Sequence, residues 1–96
     1  MNQEPGTEAE IKAFVQDRYN ARFPLFSKIE VNGANTHPVY SYCRNNSSLY
    51  DSGKNQAEVI PWNFAKFLVD TNGKVQHYFE PRSNPLSFTD KIESML

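Results

Sequence analysis

The stretch that decides the fold is PWNFAKFLVDTNGKVQHYF, residues 61–79. Its first part, Phe64 to Val69, is apolar at every position except Lys66, and its second part, Val75 to Phe79, is rich in residues that favour strands. Between them stands Thr71-Asn72-Gly73, in which glycine can supply the positive φ that a tight turn requires. The stretch therefore predicts a β-hairpin, and its nearly continuous apolar first arm predicts a strand buried on both faces.

A helix is predicted near the beginning of the chain. Thr7-Glu8-Ala9-Glu10 has the form of a capping box, in which the Thr7 hydroxyl accepts from an early helical N–H and Glu10 reaches back. The apolar positions that follow recur at helical spacing and precede the break at Phe23-Pro24; they are Ile11, Phe14, Val15 and Tyr19.

Between this helix and the hairpin the pattern predicts a strand, a helix and a loop. Phe26 to Val31 suits a strand closed by the turn Asn32-Gly33, and Pro38 suits the first turn of a helix from Val39 to about Arg44. The stretch from Asn45 to Gln56 is rich in Asn, Ser, Gly and Asp, which is typical of a surface loop.

A last helix is predicted after the hairpin. Ser87 is suited to cap it, and its apolar residues lie along one side: Phe88, Ile92, Met95 and Leu96. No internal repeat or domain boundary is evident, so residues 1–96 are expected to form one small unit.

Composition limits the classes of function. The formal net charge of −1 shows no basic excess, so neither a nucleic acid nor an anionic membrane surface is expected as partner. One cysteine, Cys43, and two histidines exclude an internal disulfide and give no metal-ligand spacing, so neither a metal nor a cofactor is expected. The polar first residues and the short apolar runs predict a soluble, cytoplasmic protein without an export signal or a transmembrane segment.

From Gln3 to Leu96 the chain resembles the C-terminal portion of glutathione peroxidases, in the phospholipid-hydroperoxide or plant-type form. Four segments carry the resemblance in the family's order: QEPGTEAEI, FPLFSKIEVNG with HPVY, PWNFAKFLVD with NGKV, and NPLS. The resemblance implies an α/β protein, the C-terminal part of a thioredoxin-like fold that lacks the N-terminal strands. The expected order is helix, strand, helix, long loop, β-hairpin and C-terminal helix.

The resemblance also implies a chemistry. A thiolate or selenolate attacks hydrogen peroxide or a lipid hydroperoxide, is oxidised to the sulfenic or selenenic level, and is returned by glutathione or thioredoxin in oxidative-stress defence. The family's peroxidatic residue and its catalytic Gln lie before the point where this chain begins. Gln3 matches the Gln of QEPG, not the catalytic one, and the first helix, which reads FVQDRY, has no resolving Cys. The chain alone is therefore expected to be inactive.

Trp62 and Asn63 are the catalytic residues that the resemblance assigns to this chain. The indole N–H and the Asn amide are hydrogen-bond donors, which favour a thiolate over a thiol and lower its pKa. By residue type alone, Trp62 would be a core residue and Asn63 a turn residue. The family context favours the donor role.

Cys43 is the remaining candidate nucleophile, and His37 is close to it in sequence. A separation of six residues on a helix places the two side chains roughly 120° apart, so they do not form a pair. A small cysteine beside Val39 and Tyr40 is expected to pack in the core. His77, in the second hairpin arm, is expected to be a strand surface residue.

Two hypotheses remain open at this point. In the first, the chain is the C-terminal half of a peroxidase; in the second, it is a non-catalytic thioredoxin-like binding module or a truncated partner subunit. The resemblance places the strand at Lys28–Val31 and the hairpin on opposite sides of two strands that this chain lacks. Partners beyond the hydroperoxide and the thiol are then an N-terminal half or a second copy, because the arm from Phe64 to Val69 would present an unpaired edge.

Overall fold

The structure, a computed structural model, describes residues 3–96 as a mixed α/β arrangement of three α-helices, one 3-10 helix and two β-hairpins. In chain order the elements are α1 (Glu8–Tyr19), α2 (Pro38–Asn45), β1 (Tyr50–Asp51), β2 (Gln56–Ala57), β3 (Lys66–Val69), β4 (Val75–Phe79), the 3-10 helix (Pro85–Phe88) and α3 (Thr89–Ser94). Strand β1 pairs with β2 and β3 with β4, both antiparallel.

Helix α1 begins where the capping box predicts. The Thr7 hydroxyl accepts from the Glu10 N–H at 3.2 Å and donates to the Glu10 carboxylate at 3.0 Å, so the return contact is between side chains. The helix ends at Tyr19 and is followed by its C-cap, Asn20, whose φ of 52° is left-handed. Although its apolar residues have helical spacing, α1 buries none of its side chains.

The strand predicted at Phe26 to Val31 is wrong. This segment has no ladder partner among residues 3–96, and a strand exists only where a neighbour satisfies its backbone donors and acceptors. Contacts with the start of α1 fix it instead: the Lys28 N–H donates to the Glu8 carboxylate at 3.3 Å and the Lys28 ammonium to the Glu4 carbonyl at 2.7 Å. Phe26 is 90% exposed.

Helix α2 confirms the prediction from Pro38, and the loop after it holds a short hairpin that the sequence did not predict. His37 caps the helix through its Nδ1 atom, which accepts from the Val39 N–H at 3.1 Å. In the following loop, Asp51 accepts from the N–H groups of Gly53 and Lys54, which closes the turn between β1 and β2.

The main hairpin is confirmed with two corrections. Gly73 has the expected positive φ of 81°, and the register pairs Lys66 with Phe79 and Phe67 with Tyr78. The first arm starts at Lys66 rather than at Phe64, because Phe64 has a left-handed φ of 65° that no strand contains. Strand β3 is half-buried rather than buried on both faces, because the sheet has only two strands in the part of the chain described.

The predicted cap at Ser87 is wrong. Asn84 caps the 3-10 helix by accepting from the Leu86 N–H at 3.0 Å, and the Ser87 hydroxyl donates to the Asn84 carbonyl at 2.6 Å. Helix α3 then starts at Thr89 without a side-chain cap. Phe88 stacks on Phe79 with ring centroids 3.8 Å apart, which joins this end of the chain to β4.

The core is small and the surface is large. The buried apolar side chains are Cys43, Ile60, Val75 and Phe88. A compact monomer of 11.1 kDa is expected to expose about 5,700 Å², whereas this chain exposes 7804 Å². Its radius of gyration is 15.2 Å, against about 12.5 Å for a compact chain of this length. The elements therefore form an open arrangement.

Candidate functional site

The segment that carries Trp62 and Asn63 is anchored just before it begins. The side-chain amide of Asn32 donates to the Ile60 carbonyl at 2.9 Å, and its oxygen accepts from the Ile60 N–H at 2.8 Å. Ile60 itself is buried. These contacts fix the entry to residues 61–65, which lie on the surface before β3 begins.

Trp62 is a surface residue in the part of the chain described. Its side chain is 55% exposed and lines an open depression of about 450 Å³, together with Pro61, Glu80, Pro81 and Arg82. This cavity is called the Trp62 depression below. Among residues 3–96 the indole N–H makes no hydrogen bond, so it is free to donate to a group that enters from outside.

Asn63 lies beside the N-terminal segment. Its amide nitrogen donates to the side-chain oxygen of Gln3, a contact between residues 60 positions apart. The sequence pattern predicts no role for Gln3 at the site, and no local pattern predicts so distant a contact. A primary amide carries two N–H groups, so one donor of Asn63 remains after Gln3 is bonded.

The other candidates do not join these two residues. Cys43 is 6% exposed, and burial raises the pKa of its thiol, which keeps it protonated at neutral pH. The His37 ring accepts from Val39 and makes no hydrogen bond to Cys43, as expected. His77 packs its ring against Phe79 at 5.8 Å. The residues described thus present two donors and no activated nucleophile beside them.

Two residues near the site were not predicted from the sequence. Asn32 was assigned to a turn, and its pairing with Ile60 depends on tertiary structure. Lys66 had a detectable signal, since it is the one charge inside an apolar run, and the structure shows its ammonium bonded to the carbonyls of Pro81 and Ser83.

The described residues, 3–96, show neither a metal cluster nor a membrane-spanning helix. No group of three or more His, Cys, Asp or Glu side chains there is placed to hold a metal ion. None of the helices described combines the length and the apolar character that crossing a bilayer requires.

Comparison with known proteins gives consistent matches. The glutathione peroxidase family model matches residues 1–44. The chain is 42% identical over 96 residues to the glutathione peroxidase homolog BsaA of Bacillus subtilis, covering 100% of this chain and 58% of that protein. It is also 42% identical to the probable glutathione peroxidase 2 of Arabidopsis thaliana, covering 100% of this chain and 54% of the relative.

A solved structure agrees with the sequence matches. The protein described as "Crystal structure of Trgpx in apo form" superposes with a TM-score of 0.65 and 26% identity, over 97% of this chain and 69% of that one. The chain spans about half the length of the curated relatives it matches. The relative and the solved structure each align with almost all of this chain. The chain therefore belongs to the glutathione peroxidase family, and it corresponds to only part of the length of other members.

Proposed function

We propose that this chain supplies the donor side of a thiol-dependent peroxidase site, with Trp62 and Asn63 as its catalytic residues. The observation that carries the proposal is the Trp62 indole, which is exposed and lines an open depression, with its N–H free among the residues described. An exposed indole whose N–H is unbonded is available as a donor to a group supplied by another segment. In this proposal the elements form the C-terminal part of a thioredoxin-like fold, and the unit formed by residues 1–96 is a partial domain.

The reaction needs a peroxidatic thiolate or selenolate from a segment other than residues 3–96. That group attacks the terminal oxygen of a hydroperoxide; the O–O bond breaks, the sulfur or selenium gains the OH group, and the leaving alkoxide takes a proton to become an alcohol. Two molecules of a reducing thiol then restore it and release a disulfide and water. Donors at Trp62 and Asn63 favour the anionic nucleophile and raise its population at neutral pH.

The substrates are hydrogen peroxide and organic or lipid hydroperoxides, with glutathione or thioredoxin as reductant, in antioxidant defence. The absence of cysteine from α1, which reads EAEIKAFVQDRY, supports reduction by an external thiol. The lone buried Cys43 is consistent with a reducing compartment such as the cytoplasm, which we propose as the location.

The test is a chimera in which the segment preceding the matched region of the Bacillus subtilis homolog is joined to this chain. In it, Trp62→Phe keeps most of the packing and removes only the donor. We expect peroxide attack to slow by roughly tenfold or more, since one hydrogen bond to a charged group contributes ~1.5–3 kcal/mol. The nucleophile's pKa should rise with it.

Tyr19→Phe is the matched control, because Tyr19 is an exposed aromatic on α1 whose loss of a polar hydrogen should change neither quantity. An unchanged rate and pKa in Trp62→Phe would contradict the donor role. The 96-residue chain alone should show no activity in an NADPH-coupled assay with glutathione and cumene hydroperoxide. Activity that disappears in Cys43→Ser would instead identify Cys43 as the nucleophile.

A binding module without catalysis is the second candidate. The observation that favours it is the accessible surface, which exceeds that of a compact protein of this mass by about 2,000 Å², more than a standard interface buries on one partner. An inactive chimera that still binds its N-terminal segment would support this candidate over the first.

A further inference from the structure

Lys66 is the charged residue inside the otherwise apolar β3 strand, and it is half-buried. Its ammonium donates to the Pro81 carbonyl at 3.1 Å and to the Ser83 carbonyl at 2.7 Å. Within the range 3–96 the only ion pair is Lys54 with Glu58, so no carboxylate neutralises Lys66. Two backbone carbonyls therefore satisfy its charge.

This arrangement is not that of a surface lysine. A lysine retained for solubility extends its stem along the protein and leaves its ammonium in water. Lys66 directs its ammonium to two carbonyls in the segment that follows β4. Such charge-assisted hydrogen bonds are about twice as strong as neutral ones. The two acceptors flank Arg82, so both ends of that short segment are held.

The segment held in this way is a wall of the Trp62 depression. Glu80, Pro81 and Arg82 line the cavity together with Pro61 and Trp62. Lys66 lies four residues after Trp62, so one stretch of chain carries both the indole donor and the cation that is bonded to the segment containing Pro81 and Arg82.

We infer that Lys66 is a positioning residue that holds residues 81–83 against the Trp62 depression and thereby sets how closely a hydroperoxide approaches the indole. The identity of the ligand in this inference rests on the proposed function, whereas the geometric role of Lys66 does not depend on it. Loss of the ammonium leaves two carbonyls without their donor and lets the wall move away from Trp62.

The geometric test uses the full chain and its own fluorescence. Trp62 is the only tryptophan in the sequence, so its quenching by acrylamide reports on this depression alone. Lys66→Met keeps the length of the side chain and removes the charge. Since Trp62 is already 55% exposed, we expect the quenching constant to rise by up to roughly twofold as the loop is freed.

Two variants serve as controls. Lys66→Arg restores donors to the same carbonyls and should keep the quenching near that of the natural chain. Lys74→Met removes an exposed lysine on the same hairpin, whose ammonium makes no hydrogen bond in the region described, and should change nothing. Unchanged quenching in a Lys66→Met chain that keeps its far-ultraviolet circular dichroism would overturn the inference.

A measurement on the natural chain covers the case in which Lys66→Met fails to fold. The ammonium protons of Lys66 should exchange with water more slowly than those of Lys74 in ¹⁵N-detected lysine spectra, with Lys66→Arg providing the assignment. Equal exchange rates would contradict the carbonyl contacts and end the inference.

Activity supplies the last readout, in the chimeric peroxidase. Lys66→Met should raise KM for the hydroperoxide several-fold with a much smaller effect on kcat, and Lys66→Arg should restore KM. A fall in kcat at unchanged KM would contradict the positioning role. A chimera without any activity would count against the proposed function, while the fluorescence result would still decide the role of Lys66.

Discussion

Residues 3–36 and residues 37–96 differ in the interactions that stabilise them. All four buried apolar side chains lie in the second region, where Phe88 stacks on Phe79 and Phe67 packs between Tyr40 and Tyr78. The first region forms a well-capped helix yet buries no side chain of it, and polar contacts such as that of Asn32 with Ile60 join it to the rest. Local sequence signals thus suffice to form an element, whereas burial needs a facing surface.

The largest expected effect concerns the association state of the chain, because no segment covers the free edge of β3 in the region described. Strand β3 pairs only with β4 in the region described, so its other edge offers unpaired backbone groups beside apolar side chains. We predict that the isolated chain self-associates through this edge or stays poorly ordered, and that an N-terminal segment from a relative added in trans orders it. Sedimentation with amide hydrogen exchange measures both.

In that experiment the two regions should differ in the protection of their amides from hydrogen exchange. Amides of β4 should be protected more than those of α1 in the isolated chain, and the added segment should raise protection in α1. A compact monomer with strong protection from Phe67 to Val69 would contradict the prediction, because it would mean that the chain closes its own sheet.

The next effect compares one aromatic from each region. Phe88→Ala removes a buried ring from the stack on Phe79 and should lower the free energy of unfolding by about 3–5 kcal/mol. Phe26→Ala removes a ring that is 90% exposed and should change it by no more than about 0.5 kcal/mol. Urea titration followed by circular dichroism measures both variants. Similar losses would show that Phe26 packs against something in solution.

The hydrogen bonds between Asn32 and Ile60, which connect the two regions, should have an intermediate effect on the free energy of unfolding. Asn32→Ala leaves the N–H and carbonyl of the buried Ile60 without their partners and should cost about 1–3 kcal/mol. Asn35→Ala, in the same turn, removes an exposed amide that makes no hydrogen bond in residues 3–96 and is the control. Equal stability of the two variants, measured by urea titration, would exclude Asn32 as the anchor.

The smallest effect is a pH dependence of the β3–β4 turn. The Lys74 N–H and the Gln76 side chain, which donate to Asp70, hold the pKa of that carboxyl below its ordinary 3.8. A depressed pKa contributes stability that is complete above the unfolded value and is lost as pH falls through the folded one. Acid below about pH 4 should therefore loosen the turn.

Amide exchange of Lys74 between pH 6 and pH 3, corrected for intrinsic rates, measures this loosening. Asp70→Asn is the control, because it cannot ionise and should show little change of protection with pH. If the natural chain and this variant responded to acid alike, Asp70 would not be the group responsible.

Particular residues show how far the sequence could predict this fold. The helix at Thr7, the helix at Pro38 and the Gly73 turn follow from local chemistry, and the structure has all three. The strand at Phe26 to Val31 failed because pairing depends on a neighbour that a local pattern does not reveal. Ser87 failed as a cap because Asn84, three residues earlier, took that role for the 3-10 helix.

The candidate site also has features that the sequence predicts and contacts that only the structure shows. The family resemblance predicts Trp62 and Asn63 as site residues; the structure shows where they lie, and their catalytic roles stay predictions. Lys66 was visible as a charge in an apolar run, but its partners at Pro81 and Ser83 come from the far side of a hairpin. The contact of Gln3 with Asn63 joins residues 60 positions apart, beyond any local signal.

The pairing of Asn32 with Ile60 has a consequence for chemical ageing. Asparagine followed by glycine, as in Asn32-Gly33, is prone to deamidation, because glycine has no side chain to hinder attack of its nitrogen on the amide carbon. The product aspartate has no N–H with which to bond the Ile60 carbonyl. While both hydrogen bonds are made, the amide is held away from that reaction, so the intact anchor slows the very modification that would release the Trp62 segment.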